Sequence, residues 1–157
     1  MLTHVNEKNQ PTMLDVSKKN ETLRYACARS VIQVPEEVLL YLKEGDIQTK
    51  KGPVFHTAII AGTMAVKKTS ELIPFCHPLP IESCHIDISM NETAEIVVEC
   101  EAKTHYRTGI EMEVLTGVSI AALTIYDMCK ALSQEICITS TFLVKKTGGK
   151  SDYHKEI

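Results

Sequence analysis

Hydrophobic and polar residues alternate one for one along SCHIDISM, residues 83–90. Cys84, Ile86, Ile88 and Met90 fall on one face of the strand this predicts; His85, Asp87 and Ser89 fall on the other. After a turn at Asn91-Glu92-Thr93 the alternation resumes in EIVVECEAK, with Ile96, Val98, Cys100 and Ala102 on one side. The two segments predict a hairpin with one buried face. RYACARSVIQV (24–34) is rich in β-branched residues and reads as an earlier strand, and EICITSTFLVKK (135–146) as a last one. Between them the period changes. PEEVLLYLKEGD (35–46) opens with a proline and closes at Gly45, which suits a short helix. HTAIIAGTMAVKKTSELI (56–73) predicts a helix that Pro74 ends, and TGIEMEVLTGVSIAALTIYDMCKALS (108–133) a long one. Thr108 and Glu111 fit a capping box at its start.

The order is strand, helix, strand, strand, helix, strand, with an extra short helix after the first strand. That is the α+β split βαβ arrangement, ferredoxin-like, in which an antiparallel sheet carries its helices on one face. Residues 1–12 read as a flexible N-terminal arm and residues 13–157 as a single domain.

The chain has 157 residues, 44% hydrophobic and 24% charged, the profile of one globular domain. A net charge of −3 gives no global basic field for nucleic acid. The predicted strands also lack the aromatics that an RNA-binding sheet of this topology stacks against bases. No segment reads as a targeting signal or a bilayer span, so a cytoplasmic protein is expected. The six cysteines contain no C-x-x-C pair, and most read as small core hydrophobes rather than disulfides.

Candidate chemistry lies in four places. IPFCHPLPIESCH (73–85) carries two Cys-His pairs, but Cys84 and His85 point to opposite faces of a strand and cannot close on one ion, so a zinc-free protein is expected. His77 is held between Pro74 and Pro78, on a backbone stiff enough to present a ligand-binding group. The long helix is apolar over most of its circumference, which places it in a core or a subunit interface. Asp127 and Lys130, three apart on one face, are its only charges from Val114 to Leu132. A desolvated pair there has pKa values open to proton transfer. Glu111 is explained by the cap; Glu113 is free to face water. KKTGGKS (145–151) resembles the end of a phosphate loop but has Val144 where that loop needs glycine. Its lysines and free backbone N–H groups suit an anion or a solvated tail. Lys51, in the turn of KKGPVF, suits an anion or plain surface.

Taken together, DVSKKNETLRYACA, KGPVFHTAIIAGTMAVKKTSELIPFCHPL, TGIEMEVLTGVSIAALTIYDMCKAL and KKTGGKS resemble the cyclic pyranopterin monophosphate synthase family, the molybdenum cofactor biosynthesis protein C family. The match runs in unbroken order over residues 13–151. The resemblance implies a lyase that converts (8S)-3′,8-cyclo-7,8-dihydroguanosine 5′-triphosphate to cyclic pyranopterin monophosphate and releases pyrophosphate. It implies a hexamer built as three dimers, with active sites at subunit interfaces. No metal or organic cofactor is built in, and Mg²⁺ is an optional companion of the triphosphate. By motif, Asp127, Lys130 and Lys51 take the catalytic roles. Phe75, Cys76 and His77, with Glu111, Met112 and Glu113, bind substrate; Lys146, Lys150 and Arg24 stand near the triphosphate. The competing expectation is a non-catalytic ferredoxin-like module that binds a nucleotide or metabolite.

Overall fold

The computed structural model describes residue 8 and residues 10–156; most of the predicted N-terminal arm lies outside the described residues. The elements follow as β1 (Thr22–Gln33), α1 (Glu36–Leu39), β2 (Leu42–Lys43), β3 (Asp46–Thr49), β4 (Gly52–Pro53), α2 (Val54–Lys67), α3 (Thr69–Leu72), β5 (Ser83–Met90), β6 (Ile96–Tyr106), α4 (Glu111–Cys129), β7 (Cys137–Thr147) and β8 (Tyr153–His154). β5, β6, β1, β7 and β8 form one antiparallel sheet in that order. Without the short β8 this is the split βαβ order: α2 crosses from β1 to β5, and α4 from β6 to β7. The predicted α+β ferredoxin-like fold is therefore the fold of the chain.

The alternation decides which face is covered. Ala26, Ala28, Ser30 and Ile32 of β1 and Ile96, Val98, Cys100 and Ala102 of β6 are buried beneath the helices. α2 and α4 supply Ala58, Val66, Val114, Val118, Ala121 and Ile125 from above. The two helices meet through glycines. A Cβ on Gly62 would stand 2.8 Å from the carbonyl oxygen of Gly117, and one on Gly117 2.7 Å from Val66 Cγ2. Only glycine permits that approach, and the crossing fixes where both ends of α4 lie.

Several local expectations change. The segment expected as a short helix from Pro35 to just before Gly45 makes one turn, α1. The rest folds into the small sheet β2-β3-β4, because the left-handed residues Glu44 and Gly45 (φ 52° and 84°) reverse the chain. The helix expected over 56–73 begins two residues earlier and breaks at Lys68 into α2 and α3. α4 is 19 residues long, with hydropathy that by length and composition alone would suit a membrane span. It is instead the core helix over the sheet. Its buried face is Val114, Gly117, Val118, Ala121, Ala122, Ile125 and Met128, while Leu123 on the far side is 55% exposed. Of the cysteines, Cys100 and Cys129 are buried, Cys27, Cys76 and Cys84 are partly buried and Cys137 is exposed; all are free thiols.

Candidate active site

The expected site residues fall into two clusters, one at each end of α4. At the N-terminal end lies a cavity of about 700 Å³. Phe75, Cys76 and His77 line it from the loop before β5, and Glu111, Met112 and Glu113 from the first turn of α4. Arg24 lines it from β1, Lys146 from β7 and Lys150 from the turn beyond. All nine expected binding residues thus share one space. Sequence reasoning missed Arg107, Lys19 and Asn20 on the same walls. Arg107 immediately precedes the TGIEMEV motif and lies outside it, while Lys19 and Asn20 sit in DVSKKN; none of the three carries a spacing signal of its own. Five basic side chains (Lys19, Arg24, Arg107, Lys146, Lys150) face two acidic ones (Glu111, Glu113). The cavity favours anions although the chain as a whole is negative.

Each wall has a local cause. Gly148 turns the chain out of β7 at φ +83°, where a Cβ would strike the carbonyl oxygen of Leu23. Thr22 Oγ1 donates to Gly148 O at 2.7 Å and Gly148 N to Asp152 Oδ1 at 3.2 Å. The KKTGGKS segment is thus a built turn rather than a loose tail. Arg24 Nε donates to Tyr106 O at 3.2 Å, tying β1 to the end of β6. His77 Nε2 is 2.9 Å from Leu14 O, so the segment before β1 closes over the loop.

The start of α4 differs from expectation. Its N-cap is Ile110, without a side-chain cap bond, and Glu111 instead pairs with Lys146 at 3.0 Å across the cavity. Thr108 and Glu111 therefore form no capping box. Glu113 does not face water: it is 3% exposed. Burial, helped by the Glu111 charge and opposed by a backbone hydrogen bond, raises its carboxyl to about 7. A carboxylic acid poised near neutrality can hold or release a proton.

The second cluster lies at the C-terminal end of α4. The tight β3–β4 turn, with Gly52 at φ +111°, lifts Lys51 to Asp127. Lys51 Nζ is 3.0 Å from Asp127 Oδ2 and 3.1 Å from Asp127 O, and Lys130 Nζ is 2.7 Å from Asp127 Oδ1. The expected desolvation is absent. Asp127, Lys130 and Lys51 are each more than half exposed, because Asp127 and Lys130 share the outward side of α4 with Leu123 and Lys51 lies at a hairpin tip. The Lys130 ammonium first, and that of Lys51 next, hold the Asp127 carboxyl down at about 2, and Asp127 raises Lys130 in return.

From Glu113 to Asp127 is fourteen helical residues, about 21 Å along the axis. One chain does not bring its cavity and its charge cluster together. Among the described residues no group of three or more His, Cys, Asp or Glu side chains is placed to hold a metal ion. Cys84 packs against the core while His85 is exposed.

Fold and clusters define a ferredoxin-like α+β domain with an anion-favouring cavity and a separate Lys-Asp-Lys group. Residues 13–149 match the MoaC family. The chain is 50% identical over 151 residues to the cyclic pyranopterin monophosphate synthase of Xanthomonas oryzae pv. oryzae, covering 96% of this chain and 92% of that protein. It is 48% identical over 155 residues to the protein of that name from Brevibacillus brevis, covering 98% and 96%. It is also 54% identical over 156 residues to the molybdenum cofactor biosynthesis bifunctional protein of Synechocystis, of which it spans 45%. The chain belongs to the MoaC family.

Proposed function

We propose that the protein is a cyclic pyranopterin monophosphate synthase of molybdenum cofactor biosynthesis. On this reading it turns the cyclised dihydro-GTP into cyclic pyranopterin monophosphate and pyrophosphate. The observation that carries the reading is the pairing of a cavity rich in Lys and Arg with an exposed Lys51-Asp127-Lys130 group. Surface ion pairs of this kind contribute little to stability, so their close packing at 2.7–3.0 Å points to chemistry.

The reaction needs proton transfers to open a purine-derived ring and rebuild it as a pterin. A hydroxyl then attacks the α-phosphate, forming the cyclic phosphodiester as the bond to pyrophosphate breaks. That step needs alignment and positive charge on the leaving group. Lys146, Lys150 and Arg24 supply the charge, and the Phe75–His77 loop with Met112 seats the ring system. Glu113 holds a proton within the cavity. Lys51, Asp127 and Lys130 exchange protons with substrate. No metal is resident in the protein on this reading; Mg²⁺ is an optional companion of the triphosphate.

A general acid or base works within hydrogen-bond reach, and about 21 Å of helix separates the two clusters in one chain. We therefore assign the working site to two protomers, the cavity from one and the charge group from the other, within a hexamer of three dimers. The apolar outer face of the helix layer, with Ile60 63%, Met64 48% and Leu123 55% exposed, is consistent with burial against another copy. A cytoplasmic location fits this substrate. Incubation with the cyclised GTP, followed by assay of pterin product and pyrophosphate, tests the activity. Release of neither would refute it.

A further inference from the structure

α2 begins without a cap of its own. Pro53 occupies the N-cap position and has neither a side-chain acceptor nor an N–H, leaving the N–H groups of Phe55 and His56 to be satisfied elsewhere. Asp46, the first residue of β3, does this. Its Oδ1 accepts from Phe55 N at 2.7 Å; its Oδ2 accepts from His56 N at 3.1 Å and lies 2.7 Å from His56 Nδ1. The residue is 4% exposed, one of few buried charged side chains among the described residues. Burial pulls its carboxyl up, and the bonds from Phe55, His56 and Ile47 outweigh that and leave it below the ordinary range. It is an N-cap supplied from outside the helix.

The cap closes a ring of chain that contains Lys51. β3 leaves Asp46, pairs with β4 through Gln48–Pro53 and Thr49–Gly52, and re-enters α2 at Val54. Within the turn Lys51 N donates to Thr49 Oγ1 at 3.1 Å, and Thr49 Oγ1 donates to Gly52 O at 3.2 Å. Those bonds shape the tip but do not attach it to the body. At the root the hairpin is held by the buried Ile47 and by Asp46, which ties it to the start of α2, and from that root the tip delivers Lys51 Nζ to Asp127. A cap eight residues ahead of its helix closes the hairpin against the core, which a cap at position 53 would leave open.

We propose that Asp46 is a positioning residue of the active site, whose buried carboxylate anchors the β3–β4 hairpin to the start of α2 and so sets Lys51 against Asp127. This rests on the proposed function only for its consequence in turnover; the geometric consequence is independent of it. Misplacing a catalytic group by about 1 Å can cost on the order of 10²-fold in rate.

Two measurements test it on the intact protein. The first is a double-mutant cycle in kcat. Asp46→Ala and the gentler Asp46→Asn, which keeps one acceptor and the side-chain volume, are expected to lower kcat by about tenfold or more, with KM changed less than about threefold. In a Lys51→Ala background neither is expected to lower it further. An equal additional loss in that background, or unchanged kcat in a folded Asp46→Ala protein, would overturn the proposal. A general loss of fold predicts an equal loss in both backgrounds and so counts against it. The second measurement needs no activity: the carboxyl ¹³C titration of Asp127. Lys130 remains beside Asp127 in every variant, so only the Lys51 contribution moves. Asp46→Asn is expected to shift the Asp127 midpoint upward, toward the value found in Lys51→Ala. A midpoint unchanged from the parent protein would overturn the proposal. If Lys51→Ala itself leaves turnover intact, the proposed role of Lys51 fails, and the titration alone then decides whether Asp46 positions it.

Discussion

Lys51 and Asp127 are 76 positions apart in the chain, yet Lys51 Nζ lies 3.0 Å from Asp127 Oδ2 and 3.1 Å from the Asp127 carbonyl oxygen. The contact joins a hairpin tip to the last turns of the core helix. Both side chains are more than half exposed, so neither is held there by burial.

Removing this cluster is expected to affect rate and spare the fold. Lys51→Ala, Asp127→Ala and Lys130→Ala are each expected to lose at least about 10²-fold in kcat, the usual scale for general acid–base groups. On the proposed reading substrate is bound at the other end of α4, so KM should change little. Thermal unfolding of all three should match the parent protein. Steady-state kinetics and a melting curve check both halves.

Glu113 should govern the pH dependence. Its carboxyl is ordinary in the unfolded chain and lifted to about 7 in the folded one. Between about 4.5 and 7 the folded state therefore keeps a proton that the unfolded state has lost. Stability falls as pH rises through that window and is level above it. Glu113→Gln, which cannot ionise, should gain on the parent protein across the same window, by on the order of 3 kcal/mol at pH 8 relative to pH 4. Denaturant unfolding at the two values measures this. The same substitution should remove an inflection near pH 7 from the profile of kcat; Asp127, held at about 2, has no inflection there.

Gly148 carries the basic wall of the cavity. At φ +83°, with Leu23 O in the path of any Cβ, it accepts no larger residue without moving the turn. Gly148→Ala should displace Lys150 and loosen Lys146. The expected result is weaker inhibition by pyrophosphate, by about tenfold or more, and a loss of on the order of 1–3 kcal/mol in stability from the strained backbone.

Chelation should leave the fold untouched. Cys84 and His85 face opposite sides of β5, so the protein should contain no stoichiometric zinc by elemental analysis. Its melting temperature should not move in excess chelator, unlike a domain folded around zinc.

The sheet was legible because its signal is local. Strict alternation in 83–90 and 96–102 named the buried face before any contact was known, and β5 matches its predicted bounds. The hairpin β2-β3 was not legible, because Leu39, Leu40 and Leu42 mimic helix periodicity and the reversal rests on the left-handed Glu44 and Gly45. The cavity residues were named by motif resemblance, and the fold gathers all of them. Their physical states were not readable from spacing. Glu113 sits two positions from Glu111 in sequence and yet is buried, while Asp127 sits in an apolar helix and yet is exposed. Burial of a helix residue depends on which face meets the sheet, and that is set by the Gly62–Gly117 crossing. Asp46 had no local signal, since the helix it caps starts eight residues later.

The proposed division of the site between protomers is best tested by mixing two proteins, each expected to be impaired in turnover. Lys51→Ala has a broken charge cluster and an intact cavity; His77→Ala has the reverse. In the proposed hexamer, assemblies rebuilt from both should contain sites that combine an intact cavity of one protomer with an intact cluster of its neighbour. Turnover should return to a sizeable fraction of the parent's. A control mixture of Lys51→Ala with Asp127→Ala should stay inactive, because both lesions fall in the same cluster. No activity in the His77→Ala mixture, despite proven exchange of subunits, would contradict a site shared between chains.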